Sequence, residues 1–99
     1  MRMMLKATIP VEAVNKAIKD GTLPKVIQAM MQSLKPEAAY FFAENGTRTA
    51  LYFFDLQDVS QIPVIAEPLF MGMNAALTLI PVMSAEDLRK GLTEAAKTF

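Results

Sequence analysis

The chain has no cysteine, no histidine and no tryptophan among its ninety-nine residues. Without cysteine there is no disulfide framework, no thiolate nucleophile and no sulfur ligand, which fits a reducing cytoplasm, the location expected here. Without histidine the commonest general base near neutral pH and the commonest metal and haem ligand are also missing. Charge of one sign is lacking too: ten basic residues balance ten acidic ones. That balance removes the attraction on which nonspecific nucleic-acid or acidic-membrane binding depends, so neither partner is expected. Long uninterrupted apolar runs are absent. Hydropathy peaks from Ile62 to Met83, but Pro63, Glu67, Pro68, Gly72, Asn74 and Pro81 interrupt it, which argues against a membrane span. At the N-terminus, Lys6 and Pro10 break the apolar run before it reaches signal-peptide length, so no export is expected.

What is present is apolar residue in excess. The hydrophobic fraction of 53% exceeds the roughly 45–50% of ordinary soluble domains, and eight methionines contribute to it. A chain this short forms one domain, expected over 1–99, and buries only roughly 60–65% of its unfolded surface. The surplus therefore reads as interface. It is densest in Glu37-Ala-Ala-Tyr-Phe-Phe-Ala-Glu44 and Thr47-Arg-Thr-Ala-Leu-Tyr-Phe-Phe54, two strands joined by Asn45-Gly46, the strongest short turn signal in the chain. Neither face of that hairpin is polar enough for water, so both faces need cover.

Elsewhere, Met3, Leu5, Ala7 and Ile9 alternate with Met4, Lys6 and Thr8, the period of a strand. Pro10 then opens a helix with the stripe Val11, Val14, Ala17 and Ile18, stopped at Asp20-Gly21. A second helix follows, with Thr22 as cap, Pro24 in its first turn and Val26, Ile27, Met30, Met31 and Leu34 inward. After the hairpin, a helix from Asp58 or Ser60 turns Ile62, Ile65, Ala66, Leu69, Phe70 and Met73 inward. Val64 and Met71 make its other side apolar, which predicts a sandwiched helix with a kink at Pro68. Ala75 to Met83 reads as the last strand. Ser84-Ala-Glu-Asp87 is a capping box, opening a terminal helix with Leu88, Leu92, Ala95 and Phe99 inward.

The order β-α-β-β-α-β with an added C-terminal helix is the ferredoxin-like α+β arrangement: an antiparallel sheet of strand order 4-1-3-2 with helices over one face. The other face lacks the polar alternation that solvent demands, and pairing with a second copy through that open face is the simplest cover. RNA recognition modules share the strand order, but Arg48-Thr-Ala-Leu-Tyr-Phe-Phe-Asp55 lacks their glycine and spaced aromatics.

At this point the chain resembles the dimeric α+β barrel superfamily. Asp20-Gly-Thr-Leu23, Pro36-Glu-Ala-Ala-Tyr-Phe41 and Ile65-Ala-Glu-Pro-Leu-Phe70 are similar to segments of small bacterial proteins of that fold, domains of unknown function. The resemblance implies a homodimer with a cavity between sheet and helices. The superfamily also holds haem-degrading and quinone-forming monooxygenases, lactone isomerases and chlorite-decomposing haem enzymes. This chain lacks the histidine and tryptophan of those sites, so their activities do not carry over.

Four residues stand out as candidates for a ligand site. Lys6 lies mid-strand on the face opposite Leu5 and needs a partner for its charge. In the Asn45-Gly46 register, Tyr40, Phe42 and Glu44 share a face with Thr49, Leu51 and Phe53, while Phe41, Arg48, Tyr52 and Phe54 share the other. Tyr40 and Glu44 are placed on the cavity side with Lys6, to orient a polar group of a small apolar or aromatic ligand. Glu67, in an otherwise apolar helix, is the fourth candidate, and with Lys6 a weak candidate for proton transfer. Each residue also has a structural explanation, through ion pairing or packing. Asp20-Gly21-Thr22 and Ser84 read as helix caps, and Asp55 and Asp58 are too sparse for a calcium loop, so no metal and no cofactor are expected. Three functions remain open: a homodimer that binds a small apolar molecule, a cofactor-independent isomerase or monooxygenase-like enzyme, and a purely structural or regulatory dimerisation module.

Overall fold

Asn45 and Gly46 both take positive φ, 53° and 75°, and place Glu44 directly opposite Thr47. This two-residue turn matches the right-handed twist of its flanking strands, so the hairpin adopts the register that the dipeptide predicts. In the computed structural model, which describes all residues from Met1 to Phe99, the strands are β1 (Arg2–Thr8), β2 (Ala38–Glu44), β3 (Thr47–Asp55) and β4 (Ala76–Pro81). They form one antiparallel sheet in the order β2-β3-β1-β4, the order expected from the sequence.

The crossover from β1 to β2 is a broken helix, α1 (Val11–Lys19) and α2 (Leu23–Leu34). Gly21, at φ 77°, takes the left-handed step between them. Thr22 starts α2 but caps it differently from expectation. Its hydroxyl donates to Asp20 Oδ1 at 2.7 Å, and its amide donates to the same oxygen at 3.0 Å. The aspartate thereby closes the turn, and its carboxyl is held below the ordinary range by these bonds. Helix α3 (Gln61–Met73) runs through Pro68 and ends on Asn74, at φ 53°.

The core lies between the sheet and these three helices. Met3, Leu5 and Ala7 of β1, Ala50, Tyr52 and Phe54 of β3, Val14, Met30, Leu34, Ile65 and Leu69 form one buried cluster. Several helical expectations are corrected. Met31 of α2 and Phe70 of α3, expected inward, are exposed. The second apolar side of α3 is not sandwiched, because Val64 and Met71 are exposed. The C-terminal helix α4 (Ala85–Ala95), followed by a short 3-10 turn (Ala96–Thr98), buries none of its residues. Leu88, Leu92 and Phe99, expected inward, are exposed. The helix face of the sheet is occupied by α1, α2 and α3, and the α4 stripe packs on neither face of the sheet. The α4 capping box itself is formed: Ser84 N donates to Asp87 Oδ2 at 3.0 Å and Asp87 N to Ser84 Oγ at 3.1 Å. The molecule measures 57 × 29 × 19 Å. No helix is long and apolar enough to cross a membrane.

Candidate functional site

Residues paired across strands share a face of the sheet, so the register sorts the candidate residues into two groups. Lys6 is opposite Leu51 and Leu51 opposite Tyr40. Met4 is opposite Phe53 on one side and Ile80 on the other. This face carries no helix. Tyr40 is 58% exposed on it, Phe42 and Ile80 are exposed as well, and Met4, Leu51 and Phe53 are half-buried. Lys6 Nζ reaches over β3 to Glu44 Oε1, 2.6 Å away. Three of the four candidates from the sequence therefore meet on the open face. The fourth, Glu67, is exposed on α3 and apart from them.

The concave site lies on the opposite face. Between the sheet and helices α1 and α2 is a cavity of about 400 Å³, thirteen of whose fifteen lining residues are hydrophobic. None of Lys6, Tyr40, Glu44 or Glu67 is among its lining residues. The reason is a row of small residues. On the helix face of the sheet, Phe41, Ala50 and Ala7 stand directly opposite one another in successive strands. Methyl groups in the middle of that row leave a hollow that Val14 of α1, and Val26 and Met30 of α2, roof without filling.

Two flanking rows give the hollow its polar groups. On one side is Tyr52, 3% exposed, whose ring meets Phe41 edge-on at 5.9 Å and 89°. Its hydroxyl makes no hydrogen bond within the chain, and burial raises its pKa above the ordinary phenol value. On the other side is Arg48, exposed at the rim, whose Nη1 donates to Asn15 Oδ1 of α1 at 2.9 Å. Apart from Arg48, the only other lining residue outside the hydrophobic set is Thr49, and its hydroxyl donates to the Thr47 carbonyl at 3.1 Å. No carboxylate, lysine or serine lines the cavity, and no three acidic side chains gather anywhere as a metal cluster.

Arg48 and Tyr52 share a face in the sequence register, so their alignment was readable. Their importance was not, because the signal is the smallness of Ala7 and Ala50 between them. No family model, curated protein or solved structure matches this chain.

Proposed function

We propose that the chain binds a small, largely apolar molecule in the cavity between its sheet and helices α1 and α2. The observation that carries this reading is the cavity itself, about 400 Å³ and lined almost wholly by hydrophobic side chains. Its volume falls in the range typical of small-molecule sites. An apolar hollow of this size forfeits packing contacts when it is empty, and an apolar occupant restores them. The lining offers no general base and no nucleophile beyond a phenol, which favours binding over catalysis. Native mass spectrometry of the protein purified from its own host tests the reading. Retained small-molecule mass that disappears in the Ala50→Leu variant supports it. Bare protein that also fails to bind any apolar probe overturns it.

A second reading concerns assembly, and the open sheet face favours it. Tyr40, Phe42, Ile80, Met4, Leu51 and Phe53 form an apolar surface that a second copy covers in a face-to-face homodimer. The α4 stripe adds further uncovered surface of the same chemistry. Sedimentation velocity decides it: dimer in the native chain, and monomer when Tyr40 and Ile80 are both replaced by lysine.

A further inference from the structure

We infer that the occupant of the cavity is an elongated apolar carboxylate, its charged end at Arg48 and a second hydrogen-bonding group, a hydroxyl or carbonyl, at Tyr52. This inference rests on the ligand-binding reading above and specifies its chemistry.

Arg48 is the only ionised residue of the lining. No carboxylate of the chain lies within ion-pair distance of it, and its one side-chain partner is the neutral Asn15. Its remaining guanidinium donors form a planar fork suited to a carboxylate. One guanidinium balances one negative charge, which favours a monoanion. A wholly apolar occupant would leave that fork to water alone.

Tyr52 supplies the second point. Its ring is buried but its hydroxyl, which has no partner in the chain, is not sealed from solvent, so it is free to bond to a polar group of an occupant of the cavity that Tyr52 lines. An occupant with a polar group there satisfies it, which a plain hydrocarbon tail does not.

Geometry connects the two. Arg48 and Tyr52 lie four residues apart on one face of β3, about 13 Å along the strand. Ala50 lies midway, with Ala7 beside it, and all four residues line the hollow. Its volume equals about thirteen water molecules of liquid, room for on the order of a dozen carbon or oxygen atoms.

The test is calorimetric titration of the whole chain, stripped of bound lipid, with decanoate, 1-decanol and 10-hydroxydecanoate. The native chain is expected to bind decanoate about tenfold more tightly than 1-decanol, and 10-hydroxydecanoate more tightly again. Arg48→Met is expected to bring decanoate down to the affinity of 1-decanol, and Arg48→Lys to keep part of the preference. Tyr52→Phe is expected to abolish only the gain from the terminal hydroxyl. Melting curves of each variant show whether the fold is intact. Equal binding of decanoate and 1-decanol by the native chain would overturn the Arg48 assignment and leave an apolar cavity. An undiminished gain from the terminal hydroxyl in Tyr52→Phe would overturn the Tyr52 assignment. Binding of none of the three probes would overturn the ligand-binding reading itself.

Discussion

Lys6 and Glu44 form an ion pair across an intervening strand: Nζ of β1 meets Oε1 of β2 at 2.6 Å above β3. In the lone chain the two side chains are 31% and 45% exposed, and such a pair contributes no more than about 1 kcal/mol. In the proposed face-to-face homodimer, a second sheet seated on the open face would remove that water. Losing one member then strands a buried charge, at a cost of about 3–5 kcal/mol. Lys6→Met alone is therefore expected to shift the protein to monomer, and Lys6→Met combined with Glu44→Met to restore the dimer. Sedimentation velocity of the two single variants and the double variant checks this; indifference to all three would argue against burial of the pair.

Filling the hollow from its floor separates stability from binding. Ala50→Leu places its extra carbons in the cavity, so it is expected to leave the thermal midpoint unchanged or raised while abolishing uptake of decanoate. Scanning calorimetry and titration on the same preparation measure both. A fall in stability of several kcal/mol would mean that the roof cannot accommodate the side chain.

Two leucines distinguish core from uncovered surface. Leu5 is fully buried in a strand with neighbours on both sides, and Leu5→Ala is expected to cost about 2–5 kcal/mol. Leu92 is 58% exposed on α4, and Leu92→Ala in dilute protein is expected to change stability by less than about 0.5 kcal/mol. Urea unfolding measures both values. A large effect of Leu92→Ala at high protein concentration alone would place the α4 stripe in a contact between copies.

Acid weakens this fold through its exposed aspartates. The carboxyl of Asp87 is held below the ordinary range by the Ser84 backbone amide, then by the Ser84 side chain, with Arg2 adding attraction. Asp55 is lowered by its bond to the N-terminal ammonium, 2.6 Å away. Lowered carboxyls contribute stability that is complete above their unfolded values and lost as pH falls through the folded ones. The thermal midpoint is therefore expected to drop below about pH 4. Asp87→Asn keeps the hydrogen-bonding shape without the titrating charge, and is expected to make that drop shallower.

Local chemistry carried the topology in the sequence. Asn45-Gly46 fixed the hairpin register, Gly21 the broken crossover and Ser84 with Asp87 the start of α4, because each acts within a few residues. Lys6 and Glu44 were also brought to one face by simple alternation. Two features needed the fold. The α4 stripe has the right period, but periodicity does not say whether its partner surface lies in the same chain. The cavity is a matter of volume: Ala50 and Ala7 look like ordinary core alanines until the register sets them side by side beneath α2.

The position of β2 at the margin of the sheet has its own consequence, for solubility. One side of its backbone has no hydrogen-bonded neighbour, and the run from Ala38 to Ala43 carries no charge and no proline. A flat apolar edge of this kind is a template for fibril-like stacking, and charges at its ends are the usual gatekeepers. Here the gatekeepers are Glu37 and Glu44, and each is neutralised by a cation of β1: Arg2 at 2.6 Å from Glu37, and Lys6 at the same distance from Glu44. The contacts that tie β1 to β2 thus weaken the repulsion that keeps one edge from another, so variants that unseat either glutamate alter aggregation as well as folding.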